Sequence, residues 1–164
     1  MAFTFDEEEE IEPLKYKIGD DDVRFPNINE YTLLFAFDYL SLNSTKYCFN
    51  NPIILVEDFI KIYEFKKETS KIKIRDFTDN RYIKQKYHFH AIDIYSKSKS
   101  FLVDIFTKLL GKKMKPSELP SLYQFAIFTD NDTLKAPRIV GFFGKRGVFH
   151  ILLLDYEHSI YPMK

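Results

Sequence analysis

Five residues near the end of the chain have the types needed to move a proton and hold a phosphate: Arg138, His150, Asp155, His158 and Tyr161. Histidine titrates near neutral pH and can give or take a proton in a reaction. Arginine binds phosphate through charge-assisted, often bidentate hydrogen bonds. A tyrosine hydroxyl can position a substrate or protonate it. As a catalytic set, Arg138, His158 and Tyr161 would suit transfer of a phosphodiester to an internal 2′-hydroxyl nucleophile, with no metal. His158 and Tyr161 would equally serve to close a sheet and solvate its end. His150 lies inside an apolar run, where a histidine is ordinarily a satisfied core residue.

Two other groups could join them. His88 and His90 are two residues apart, so on a strand they would share a face. Such a pair can share a metal, but a zinc site needs three or four ligands and no Cys/His cluster completes one, unless acidic residues come from elsewhere in the fold. The pair could instead line the groove of the C-terminal set, or sit on a half-exposed strand face. Basic residues with aromatic neighbours (Arg81, Tyr82, Lys84, Lys86, Tyr87, then Lys112, Lys113 and Lys115) can bind phosphates and stack on bases, although lysine-rich connections are usually solvated loops. His88, His90, Lys86, Lys145 and Arg146 are the expected substrate-binding residues. No metal and no cofactor is expected. The chain has no P-loop, GxGxxG, HExxH or GxSxG pattern.

The elements that must position these groups are readable from pattern. The closing stretch reads as strand Arg138–Phe143, turn Gly144–Gly147 and strand Val148–Tyr156, an apolar run suited to burial on both faces. Tyr123–Thr129 alternates, so the last three strands form an antiparallel meander. Phe101–Leu110 is an amphipathic helix ended by Gly111. Asn51-Pro52 predicts a helix start, with Ile53, Val56, Phe59, Ile60 and Tyr63 as its core-facing stripe. Tyr31–Leu40 and Lys86–Tyr95 are predicted as strands, Asn43–Thr45 as a turn and Lys46–Phe49 as a short return strand. Ile72–Phe77 suits either a short strand or a turn of helix. The fold class is α+β: an antiparallel sheet with a C-terminal three-strand meander, packed against two amphipathic helices.

The 164 residues are enough for one domain. Residues 1–22 hold nine acids and two bases, a net −7, so the remainder carries +7 and the formal total is zero. A basic body with an acidic arm is compatible with nucleic-acid binding, and equally with a solubilising tail. The expected layout is a poorly ordered arm over 1–22 and a single domain over 23–164. A single cysteine, Cys48, fits a reducing compartment, and no apolar run is long enough to span a membrane. A cytoplasmic protein with no membrane partner is expected.

The closing segment resembles the RelE/ParE toxin superfamily, particularly its YoeB-like ribonucleases. The likeness is carried by Tyr123-Gln124-Phe125-Ala126-Ile127, then Arg138-Ile139-Val140-Gly141-Phe142, then Val148–Leu154 leading to His158 and Tyr161. It covers about 40 residues, and it implies an RNA-cleaving toxin neutralised by an antitoxin. In that reading Arg138 stabilises phosphate charge, while His158 and Tyr161 transfer protons and place substrate. The chain departs from the pattern in its greater length, its acidic arm and the position of its second clear helix. The tail, with His90-Ala91-Ile92-Asp93, is also similar to a family of uncharacterised bacterial proteins ending in R-x-x-G-F and D-x-x-H-x-x-Y-P. Here those are Arg138–Phe142 and Asp155–Pro162. Two functions are therefore expected: an endoribonuclease acting on RNA with a protein partner, or a non-enzymatic protein- or nucleic-acid-binding module of a mobile-element or defence system.

Overall fold

The computed structural model describes residues 28–40, 42 and 45–160. The acidic arm, most of the lead-in to the first strand, Asn43, Ser44 and Tyr161 lie outside the described residues.

The predicted meander is present. Strand β3 (Leu122–Ala126) pairs antiparallel with β4 (Arg138–Phe143), which pairs antiparallel with β5 (Val148–Asp155). Strand β2 (His90–Ile92) adds antiparallel to β3, and β1 (Leu34–Ala36) adds to the free side of β5, giving the order β1-β5-β4-β3-β2. One part of the expected sheet is corrected here. β1 runs parallel to β5, so the sheet is mixed rather than wholly antiparallel. The short return strand expected at Lys46–Phe49 is instead a 3-10 turn over Thr45–Tyr47.

Among the described residues four helices flank the sheet: α1 (Val56–Thr69), α2 (Ile74–Asp79), α3 (Arg81–Tyr87) and α4 (Phe101–Leu110). One core layer gathers Phe65 of α1, Ile74 and Phe77 of α2 and Tyr87 of α3 with Phe125, Ile139, Phe149 and Leu154 of the sheet. The other gathers Leu102 and Phe106 of α4 with Leu122, Val140, Phe142, Leu152 and Leu153. The sheet is thus covered on both faces, which is why its central strands read as continuous apolar runs. Phe125 is the hub of the first layer. Its ring meets Phe77 at 5.1 Å and 87° and Phe149 at 5.0 Å and 90°, the edge-to-face geometry that ring quadrupoles favour.

Three local signals decided differently from the expected pattern. Asn80 caps α3, its side-chain oxygen accepting from the Tyr82 and Ile83 amides, so the predicted strand Lys86–Tyr95 shrinks to His90–Ile92. Ile74–Asp79 is helical, which resolves the ambiguous 72–77 stretch. Asn51 closes a turn through its bond from the Ile53 amide, and α1 starts only at Val56, with the Asp58 carboxylate accepting from the Leu55 amide at 3.1 Å. That carboxylate also turns α1. It is fully buried and bonds Lys135 and Tyr156, so the face carrying Asp58, Phe65 and Thr69 points inward. The stripe expected to face the core points out: Val56 is 79% exposed, Tyr63 69%, Ile60 57% and Ile53 47%. Of the predicted set only Phe59 packs against the core.

A β-bulge lies between Val140 and Gly141. Gly141 pairs with Ile151 but Val140 pairs with Leu153, leaving Leu152 as the extra residue of β5. Glycine is required at 141, because a Cβ there would stand 2.0 Å from the His150 carbonyl oxygen. The bulge reverses the alternation of β5. His150, opposite Phe142, and Asp155, opposite Arg138, therefore share the α4 face although five residues separate them.

Candidate functional site

The site lies where β3 ends, β4 begins and β5 ends. Ala126, Arg138 and Asp155 stand in one row across the sheet, and Gln124 is one step inward on the same face, between His90 and Val140. Arg138 is buried. Its Nη1 donates to the carbonyls of Ala136 (3.0 Å), Pro137 (3.2 Å) and Phe128 (3.4 Å), which fixes the plane of the guanidinium. Its Nε has no hydrogen-bond partner.

Asp155 is buried and holds the chain reversal that follows β5. Its Oδ1 accepts from the Ser159 amide at 2.8 Å and the Ser159 hydroxyl at 2.9 Å, and its Oδ2 accepts from the Ile160 amide at 2.8 Å. Lys99 adds a further tie, its Nζ donating to the Ile160 carbonyl at 2.7 Å. This reversal carries His158, which adopts the left-handed conformation with φ 54°. His88, the C-cap of α3, is also left-handed, with φ 43°. Non-glycine residues rarely adopt this conformation, and such outliers cluster at functional sites.

The charges of these groups act on one another. Burial lowers the His158 pKa, Arg138 and His88 lower it further, and Asp155 opposes them. Burial likewise lowers the pKa of His88, with Arg138 and then His90 adding to the shift. Arg138 is itself lowered by burial and held up by Asp155. Both imidazoles are therefore predominantly neutral at pH 7, the form that accepts a proton. Of the four buried side-chain atoms without a partner among the described residues, three belong here: Arg138 Nε, His158 Nδ1 and Gln124 Oε1. Buried polar groups are normally satisfied, so this concentration makes the end of the sheet the candidate place for a polar ligand or water.

The charge of Arg138 acts on both His158 and His88, residues that the sequence places 70 positions apart. The expected shared strand face does not account for His88 and His90, since His88 terminates a helix. His90 is half-buried, with its Nδ1 2.8 Å from the Ala91 carbonyl. Lys86 lies apart, engaged with Glu68 at 2.8 Å. Lys145 and Arg146 are exposed in the β4–β5 turn, at the other end of the strands from Arg138. Tyr161 lies outside the described residues. His150 is a bonded, half-buried residue: its Nδ1 meets Asp38 Oδ1 at 2.8 Å and its ring stacks on Phe142. Gly144 makes room for it, because a Cβ at 144 would come 2.5 Å from His150 Nε2.

Two features escape a reading by pattern. Gln124 is one, and its signal is a lone amide within the buried run Leu122–Ile127. The other is a polar knot on the opposite face of the sheet. There Asp58 accepts from Lys135 Nζ at 2.9 Å and from the Tyr156 hydroxyl. Burial pushes Asp58 up, but the bonds from Tyr156, Lys135 and Leu55 outweigh it and leave its pKa lowered. Next to it Asp130, bonded by the Thr133 amide and Lys61, is lowered to about 2. This knot ties the start of α1 to the β3–β4 connection and the end of β5, and so supports the same end of the sheet from behind.

Among the described residues no group of three or more His, Cys, Asp or Glu could hold a metal ion, and no helix is long and apolar enough to cross a membrane. No protein-family model, curated protein or solved structure matches the chain.

Proposed function

We propose that this protein is a metal-independent endoribonuclease of the RelE/YoeB kind, acting at the Arg138 end of the sheet. The observation that carries the reading is a buried, carbonyl-oriented arginine whose charge acts on two imidazoles and helps to lower their pKa values. An RNA phosphodiester would lie against the guanidinium. A neutral imidazole, His158 or His88, takes the proton of the 2′-hydroxyl, whose oxygen attacks phosphorus. The P–O5′ bond breaks, and a proton from the second acid of the site, the Tyr161 hydroxyl or the other imidazole once protonated, goes to the departing 5′-oxygen. The products are a 2′,3′-cyclic phosphate and a 5′-hydroxyl. Arg138 opposes the charge that grows on the non-bridging oxygens, and such oriented charge is commonly the largest contribution to this type of catalysis. An antitoxin protein would restrain the activity in the cytoplasm.

The test is RNA cleavage by the full chain in EDTA, alone and in a translating extract, with His158→Ala beside the wild type. The expected result is cleavage by the wild type and a loss of about 100-fold or more in the variant, the usual range for a general acid–base. Absence of cleavage by a folded wild type overturns the reading.

A second reading, a non-enzymatic interaction module, draws on a different observation: the outward apolar stripe of α1. It predicts that substitutions on that stripe abolish biological effect while His158→Ala does not.

A further inference from the structure

The turn that joins β4 to β5, at the other end of the strands from Arg138, carries two cations without an anionic counterpart. Lys145 and Arg146 are both exposed, and neither forms an ion pair among the described residues. Arg146 holds φ 60° and ψ 20°, a left-handed conformation that glycine or asparagine adopts more readily. Closing the turn does not call for an arginine at this position, so its charge needs another account.

Gly147 seats this turn on the first described residues of the chain. A Cβ at 147 would stand 3.0 Å from the Tyr31 Cβ and 2.5 Å from Ile74 Cδ1. The carbonyls of Tyr31 and Asn29 accept from the Ile74 amide at 2.9 Å and the Arg75 amide at 3.1 Å. Lys71, Lys73 and Arg75 therefore belong to the same end of the molecule. The acids of this end are already engaged. Glu30 bonds both Lys73, at 2.8 Å, and Arg75. Asp76 stands 3.9 Å from Arg75 Nε, Glu68 bonds Lys86, and Asp38 bonds His150. Lys71, Lys145 and Arg146 are left as a positive surplus.

The opposite surplus is tethered next to them. Asp20, Asp21 and Asp22 precede Ile28 by six to eight residues, and Ile28 is buried, its carbonyl accepting from the Tyr31 amide at 3.0 Å. Six residues of extended chain span at most about 20 Å. The other exposed lysine group, Lys112, Lys113 and Lys115, follows α4, whose core layer is on the opposite face of the sheet from Ile28.

We infer that the Asp20-Asp21-Asp22 segment of the N-terminal arm docks on the β4–β5 turn, its carboxylates paired with Lys145 and Arg146 and drawn in also by Lys71. The guanidinium gives oriented, charge-assisted bonds to a carboxylate, and the lysines add point charge. Exposed pairs of this kind are weak singly and screened by salt; the short tether supplies the local concentration that makes them form together. The arm then cancels the positive surplus at the end of the sheet opposite Arg138. The inference does not rest on the ribonuclease reading.

The experiment is zero-length carbodiimide coupling of the full chain, which joins an amine to a carboxyl group in contact with it, followed by mass spectrometry of the linked peptides from the monomer band. The Lys73–Glu30 and Lys86–Glu68 pairs are internal controls. The expected result is a link from Lys145 to one of Asp20, Asp21 and Asp22 within a single chain. Arg146→Asn, which keeps a residue suited to the left-handed conformation, should lower the yield of that link about threefold, the scale of one exposed ion pair, at an unchanged melting temperature. Lys112→Glu with Lys113→Glu should leave the yield as it is. Control links without an arm link would overturn the proposal. So would an arm linked chiefly to Lys112, Lys113 or Lys115, or linked only between two chains. A Lys145 link indifferent to Arg146→Asn would also overturn it, as the chance collision of a neighbouring tail.

Discussion

Replacing Asp155 by asparagine should both loosen the fold and move one histidine without the other. The carboxylate accepts three hydrogen bonds, two on Oδ1 and one on Oδ2. Asparagine can keep its oxygen toward Ser159, but its amide nitrogen then faces the Ile160 N–H, donor against donor. Ile160 is 2% exposed, so no bulk water replaces the lost acceptor. An unsatisfied buried donor costs about 1–3 kcal/mol. Making the two remaining bonds neutral roughly halves their strength. Removing the charge opposite buried Arg138 adds a smaller cost, because the guanidinium is bonded to carbonyls rather than to Asp155. The sum is about 3 kcal/mol. With a urea slope of about 2 kcal/mol/M, the midpoint should fall by about 1.5 M at unchanged slope. In the same variant, NMR titration should show the His158 pKa moving down, since the Asp155 charge holds it up, while His88, whose shift comes from burial, Arg138 and His90, stays in place. A midpoint shift below about 0.5 M, or equal movement of the two histidines, would refute this account of how the turn is held.

Two further outcomes follow from the geometry. Gly141→Ala must push a methyl into the His150 carbonyl and pry β4 from β5, so it should cost about 3 kcal/mol or more, read by urea unfolding, with hydrogen exchange rising at the β4–β5 ladder. The Asp58–Lys135 pair sets two limits in pH. Asp58 is lowered, so its contribution is full above the ordinary aspartate range and is lost as pH falls through its folded pKa. Lys135 is raised, mainly by its bond to Asp58, so its contribution is full below the ordinary lysine range and is lost as pH climbs through its folded value. Asp58→Asn should therefore flatten stability at both extremes, measured as melting temperature against pH, and a wild-type profile that matches the variant would contradict the assignment.

Much of the sheet was legible without coordinates. The run Val148–Tyr156, the strand Arg138–Phe143 and the alternation Tyr123–Thr129 are dictated by side-chain period and by the turn residues between them, and the strands stand there as Val148–Asp155, Arg138–Phe143 and the shorter Leu122–Ala126. The helix Phe101–Leu110 is equally local, ended by a glycine at φ 65°. Arg138 and His158 could be singled out because polar residues at the ends of apolar strands are visible as such.

What the sequence could not decide is which of two compatible patterns wins. α1 and the turn before it have an apolar stripe at 53, 56, 60 and 63, and α1 has a second, inward set around Phe65. Only the pairing of Asp58 with Lys135 and Tyr156, 77 and 98 residues away, selects the second. Lys86–Tyr95 alternates like a strand, but the Asn80 cap and the docking of Tyr87 against Phe77 and Phe65 make its first part helix. The bulge at Val140/Gly141 is silent in the residue pattern, yet it sets Asp155 opposite Arg138 on the α4 face. Without it Leu154 would take that place. Likewise the charge of Arg138 acts on His88 at the side of the sheet where β2 pairs with β3, two segments at least 30 residues apart. Local chemistry determined the strands of the meander and named Arg138, Asp155, His158 and His88 of the candidate site. Long-range pairing determined which faces those residues share, because register and helix rotation are set by partners that no local window contains.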